Sequence, residues 1–139
     1  MTLKKTKSIA EVKVGDQLPE LSIAITVTLI NGGAIATRDY FPGHHDKEAA
    51  QALGSPHIFM NILTTNGLVQ RFIEDWAGPL ATFKSQKIKL GAPNYPGDTM
   101  VFTGEVTERD EATNSVTVSF KGKNSMGNHV AGTVAVVLP

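Results

Sequence analysis

The stretch that decides the fold is SPHIFMNILTTNGLVQRFIEDWAGP, residues 55–79. Ser55-Pro56 places a capping hydroxyl before a proline suited to the first helical position, which predicts a helix start. Ile58, Ile62, Thr65, Val69, Phe72 and Trp76 then recur at helical spacing, joined by Phe59, Leu63, Leu68 and Ile73, so the apolar stripe is broad. Gly78-Pro79 is a stop signal. A helix with so wide an apolar face is wrapped by other elements rather than laid on a surface.

The rest of the chain supplies the wrapping. Downstream, residues 82–90, 99–107, 115–123 and 129–138 read as strands, the last two with clear alternation at Val116, Val118 and Phe120 and at Val130, Val134, Val136 and Leu138. Short polar links between them predict an antiparallel meander. Upstream, Leu21, Ile23, Ile25, Val27 and Leu29 alternate with smaller or polar residues, predicting a half-buried strand over 21–29 that Asn31-Gly32-Gly33 ends. A polar loop follows, then an alanine-rich run from Lys47 to Leu53, a short helix that Asp46 caps. The fold class is therefore α+β, a five-stranded antiparallel sheet wrapped round one long central helix. At 139 residues the chain is one domain over 18–139, preceded by an N-terminal arm over 1–17, read as solvated or as a turn leading inward. The sheet keeps exposed edges, so pairing with a second copy or a similar chain is expected.

Composition removes whole classes of function. Thirteen basic residues balance thirteen acidic ones, where a nucleic-acid surface needs a basic excess, so no nucleic-acid partner is expected. The longest apolar run, Ile23 to Ile30, is short and broken by Thr26 and Thr28, well under the ~18 residues of a membrane span. Lys4, Lys5 and Lys7 are followed by Glu11, Lys13 and Asp16 instead of an apolar run, which argues against a signal peptide. With no cysteine in the chain, disulfides, thiolate nucleophiles and cysteine metal sites are excluded; a cytoplasmic location fits this. The chemistry falls to histidine, carboxylates, hydroxyls and backbone amides.

Four histidines exist, at 44, 45, 57 and 129. Asp39-x-x-x-x-His44 lies in the loop ahead of the long helix, where Pro42-Gly43 permits a turn that brings both side chains to one point. A carboxylate and an imidazole there can hold one water and exchange its protons near neutral pH; a turn-stabilising hydrogen bond is the plain alternative. His45 reads as an exposed loop residue, and His129 receives no role. No two histidines have i, i+4 spacing, so no metal site is expected. His57 stands near the helix start, and Asn61 is able to bond either a substrate or the loop. Gly67 costs the helix about 1 kcal/mol relative to Ala, which suggests a close backbone approach or a bend. Arg71, Lys84, Lys87 and Lys89 are solvated charges or contacts for phosphate.

Together Asp39-x4-His44 and Pro96-Gly97-Asp98-Thr99 resemble the signatures of the MaoC-like, or hydratase 2, branch of the hot-dog fold, over about residues 20–138. More closely, Ala36-Thr37-Arg38-Asp39, His44-His45-Asp46, Asn61-Ile62-Leu63-Thr64, Gly67-Leu68-Val69-Gln70-Arg71 and Asp75-Trp76-Ala77-Gly78-Pro79 are similar to the small MaoC-like subunit of bacterial heteromeric hydratases. Those enzymes act on the coenzyme A thioester of a shortened steroid side chain beside a larger MaoC-like chain. The resemblance implies reversible syn addition of water across the 2,3-double bond of an enoyl-CoA thioester, with Asp39 and His44 as the acid–base pair. His57, Asn61 and Gly67 would contact substrate, and backbone N–H groups around 57–62 would stabilise the thioester oxyanion. No cofactor is implied beyond the coenzyme A of the substrate, and the assembly is a homodimer or a heteromer with a second MaoC-like chain. At Asn61-Ile62 the chain departs from the His-Gly common in the hydratase 2 pattern. That departure motivates a second reading, a non-catalytic partner subunit shaping the acyl pocket of a larger chain; an acyl-CoA thioesterase is a third.

Overall fold

The computed structural model describes residues 4–139, so residues 1–3 of the expected arm lie outside it. The central helix, α3, runs over Ile62–Ala77 after strand β1 (Leu21–Ala24) and helices α1 (Val27–Ala36) and α2 (Lys47–Ala52). Strands β2 (Thr82–Leu90), β3 (Thr99–Asp110), β4 (Ser115–Asn124) and β5 (Gly127–Val137) follow. They form one five-stranded sheet in the order β1-β3-β4-β5-β2, every pair antiparallel. This is the expected α+β hot-dog arrangement. α3 buries Thr64, Thr65, Leu68, Val69, Phe72, Ile73 and Ala77, a three-and-four spacing that turns one stripe onto the sheet. Phe72 stacks on Phe102 of β3 with ring centroids 5.3 Å apart. Each large side chain of this kind removed from water stabilises the domain by roughly 1.5–3 kcal/mol.

Three local expectations are corrected. First, α3 begins at Ile62 and not at Ser55-Pro56: its N-cap is Asn61, whose side chain accepts from the Thr64 N–H. Residues 55–61 form no helix, and Ile62 and Leu63, expected on the buried stripe, are about half exposed. Second, the strand expected over 21–29 stops at Ala24. Ile25 continues the chain into the turn through its bonds to Asp98 and Gly97, and Thr26 then caps α1 by accepting from the Leu29 N–H at 3.0 Å. Asn31, Gly32 and Gly33, whose propensities favour turns, are held in a helix by tertiary contacts. α1 lies so close to α3 that a Cβ on Gly33 would stand 2.1 Å from Thr64 Oγ1. Third, only β3, β4 and β5 form a meander; the link after β2 crosses to β3 while β2 pairs with β5.

The arm is docked rather than solvated from Lys7 onward. The Lys7 N–H donates to Ala77 O at 2.8 Å, Val12 is buried, and Gln17 bridges Glu105 of β3.

Candidate active site

The site grows from the C-terminus of α1. Thr37 caps the helix, Arg38 takes a positive φ of 57°, and the N–H groups of Arg38 and Asp39 donate back to Ile35 O and Ala34 O at 3.1 and 2.9 Å. That pattern is a Schellman closure, usually built on glycine. Here it turns the chain sharply and leaves Asp39 directly after the bend.

From Asp39 a tight turn leads to the short 3-10 helix Pro42–His44. The Phe41 N–H donates to Asp39 Oδ1 at 3.2 Å, and the His44 N–H closes onto Phe41 O at 3.0 Å. His44 is buried, its ring lying edge-on between Phe41 and Phe59 at centroid distances of 5.4 and 4.9 Å. His44 Nδ1 stands 2.7 Å from Phe59 O. Because a carbonyl only accepts, Nδ1 carries the proton, which leaves Nε2 with a lone pair in the neutral ring. That Nε2 faces Asp39 Oδ2 at 3.4 Å.

The carboxylate is anchored from the other side by Asn61, whose Nδ2 donates to Asp39 Oδ2 at 3.1 Å and to Thr37 Oγ1 at 2.9 Å. The Asn61 amide above all, and then the Phe41 N–H, hold the Asp39 carboxyl below the usual carboxylate range; His44 and His45 add to this against a partial desolvation. His45, read as a plain loop residue, donates from Nε2 to the Asp39 carbonyl at 2.7 Å and so braces the same turn.

Asp39, His44 and Asn61 are therefore brought together. His57 is half-buried on the chain leading into α3, where its Nδ1 accepts from the Ile58 N–H at 2.8 Å. Gly67 lies on the exposed face of α3 beside Gln70, Arg71 and Glu74, and a Cβ there would meet nothing within 4 Å. Within this chain no close approach explains it. His129 is buried in β5 between Ala92 O and Thr65 Oγ1, at 2.7 and 2.8 Å, and burial pushes its pKa down. Among the described residues, no three of His, Asp and Glu stand close enough together to share a metal ion, and no helix is long and apolar enough to cross a membrane.

Sequence reasoning passed over Asn31, whose Nδ2 donates to His44 O at 2.8 Å from inside α1. In Asn31-Gly32-Gly33 it carried the signal of a turn. It also passed over Thr37, whose hydroxyl donates to Gly33 O at 2.7 Å while receiving the Asn61 amide.

The antiparallel sheet against its central helix, with a carboxylate facing an imidazole in the loop ahead of that helix, defines the class: a hot-dog protein. The family described as "MaoC like domain" matches residues 11–126, and the chain belongs to it. It is 49% identical over 121 residues to the 3-oxo-4,17-pregnadiene-20-carboxyl-CoA hydratase beta subunit of Mycobacterium tuberculosis, covering 87% of this chain and 92% of that one. It also superposes on a chain of the crystal structure of the ChsH1-ChsH2 complex from M. tuberculosis with a TM-score of 0.88 and 46% identity, covering 91% and 98% of the two chains. The (R)-hydratase of A. caviae involved in PHA biosynthesis shares the fold, with a TM-score of 0.84 at 21% identity over 92% of this chain and 98% of that one.

Proposed function

We propose that this chain is an enoyl-CoA hydratase subunit that adds water to a 2,3-enoyl-CoA of the steroid side-chain class, working with a second MaoC-like chain. The observation that carries the chemistry is the pair of acceptors, Asp39 Oδ2 and His44 Nε2, 3.4 Å apart with the other imidazole nitrogen pinned on Phe59 O. A water seated against both, off the line that joins them, donates one hydrogen to each. As its oxygen bonds to C3 of the thioester, one O–H bond breaks and the proton is taken up by His44 Nε2. The imidazolium that forms is stabilised by the adjacent carboxylate. The same proton then passes to C2 as the π bond is lost, so both new bonds form on one face. Run backwards, these steps dehydrate a 3-hydroxyacyl-CoA.

Charge that gathers on the thioester oxygen needs donors. Asn61 caps the Thr64 N–H, and the N–H groups of Ile62 and Leu63 lie ahead of the first intrahelical bond. These two, with the helix dipole behind them, are the donors for the oxyanion. No cofactor enters beyond the coenzyme A of the substrate.

Support for a partner chain comes from the relative whose solved structure is a two-component complex and from β2. That strand is an edge of nine residues whose side chains are half-buried or exposed along its length, an unpaired template for another strand. Phe41, Ile62 and Leu63, beside the acid–base pair, are each about half exposed, leaving apolar surface for an acyl group and a neighbouring chain to cover. The steroid class is supported by the 49% identity to the hydratase beta subunit.

The test follows loss of enoyl-thioester absorbance on mixing a short enoyl-CoA, or a steroid side-chain enoyl-CoA, with the full chain alone and with its MaoC-like partner. Hydration of the steroid thioester by the mixture is expected. Release of free coenzyme A thiol from a saturated acyl-CoA, without hydration, would replace the reading with thioester hydrolysis.

A further inference from the structure

We propose that Asn31 and Asn61 are positioning residues, each holding one member of the acid–base pair from a different helix. The proposal rests on the reading of Asp39 and His44 given above. Asn61 is 2% exposed and its amide is almost fully committed. Both Nδ2 hydrogens are used, on Thr37 Oγ1 and Asp39 Oδ2, and Oδ1 accepts from the Thr64 N–H. An asparagine side chain has two donors and an acceptor oxygen with two lone pairs, so no donor is left for a substrate. What the residue does is lock the start of α3 to the end of α1 through the carboxylate.

Asn31 acts on the other member. Its Nδ2 reaches the His44 carbonyl at 2.8 Å, while the His44 N–H is bonded to Phe41 O and its Nδ1 to Phe59 O. The histidine is thus fixed at its backbone from both sides and at its ring. Gly43, one residue earlier, accepts at its carbonyl from the Phe59 N–H, so the ring-bearing turn and the Phe59 segment move together.

Two amides suit this task because they donate without titrating, so the geometry survives the change in charge of His44 during turnover. The ionisable groups that face the carboxylate are His44, 3.4 Å away, and His45, bonded to the Asp39 carbonyl. α1 and α3 contribute Thr37 and Asn61. Replacing the Asn61 amide by a carboxylate therefore removes the two bonds that Nδ2 donates, to Thr37 Oγ1 and Asp39 Oδ2, and keeps the helix cap, since aspartate accepts from the N3 N–H as asparagine does.

The test combines NMR titration of the Asp39 carboxyl carbon and the His44 ring in the full chain with kcat and KM of the enoyl-CoA reaction in the active assembly. Asn61→Asp should raise the Asp39 midpoint by at least about one pH unit, because a like charge now faces it. The acid limb of kcat/KM should move by the same amount. Asn61→Ser, which keeps a cap and lacks the amide, should move both in the same direction by less, and serves if the first variant fails to fold. Asn31→Leu should leave the Asp39 midpoint in place, shift the His44 ring resonances and lower kcat about 10–100-fold with KM within about twofold. An active wild type whose Asp39 midpoint is unmoved by both Asn61 variants, or whose kcat survives Asn31→Leu, overturns the proposal alone. A wild type that hydrates no enoyl-CoA, in variants whose resonances move as described, overturns the hydratase reading and leaves the two amides as the groups that position the pair.

Discussion

Gly33→Ala tests the contact on which the site's geometry depends. In an exposed helix interior this change stabilises by up to about 1 kcal/mol, since alanine loses less backbone freedom on folding. Here the new methyl carbon would lie 2.1 Å from Thr64 Oγ1, 2.8 Å from its Cγ2 and 3.0 Å from its Cβ. With Oγ1, Cγ2 and Cβ all at 3.0 Å or less, rotation about χ1 of a β-branched side chain cannot clear the clash, and α1 must move away from α3. Overpacking of this kind costs about 1–3 kcal/mol, which offsets a propensity gain of about 1 kcal/mol and leaves a net loss of up to about 2 kcal/mol. The displacement also carries Asp39, at the end of α1, away from Asn61 at the start of α3, so turnover should fall along with stability. A double-mutant cycle with Thr64→Ala isolates the term. Thr64 Oγ1 is buried with no hydrogen-bond partner, so its removal leaves no polar partner orphaned, and in that background, where only the Cβ contact at 3.0 Å remains, most of the cost of Gly33→Ala should disappear. Urea denaturation of the four proteins, with hydratase turnover, reads the cycle as a coupling of about 2 kcal/mol. A single Gly33→Ala variant that is more stable than the wild type and fully active would refute the reasoning.

Three further outcomes are expected. Gly43→Ala places a carbon 2.8 Å from Phe41 Cε1 and 3.0 Å from Phe59 Cε1 and Cζ, displacing the rings that flank His44; steady-state kinetics should show kcat down roughly 100-fold. Burial lowers the His129 pKa, so below the ordinary histidine value the unfolded chain takes up a proton that the folded chain resists. Stability should therefore fall as the pH drops from that value to the lower folded one, and His129→Gln should flatten the slope in denaturation midpoints measured across it. Glu11, brought down to about 2 chiefly by the Ser8 N–H and then Lys5, contributes stability that is present above its ordinary pKa and lost as the pH falls toward about 2; Glu11→Gln should remove that acid-side loss in the same titration.

The central helix and four strands were legible because their signals are long and periodic: the stripe through Leu68, Val69, Phe72 and Ile73 has one structural solution. α1 was not legible. Leu21 to Leu29 alternates as a strand does, and nothing local reports that Thr26 caps a helix or that Gly33 is needed for its approach to α3. The start of α3 was displaced for a related reason: Ser55-Pro56 is a sound local cap, while Asn61 is selected by its simultaneous bond to Asp39. At the site, Asp39 and His44 stood out because few residue types carry proton chemistry. Asn31, Thr37 and the Phe59 carbonyl did not, since their roles arise only when α1 and the chain before α3 meet in space.

Hydration by the Asp39→Asn variant, measured as enoyl-thioester absorbance in the assembly that is active with the wild-type chain, tests the central claim most directly. Asparagine keeps the volume and the Phe41 contact but cannot hold the water as an anion. Turnover should drop by about 10²–10⁴-fold with the denaturation midpoint close to wild type. Full turnover by a folded Asp39→Asn assembly would contradict the account, because the chemistry would then belong to another chain.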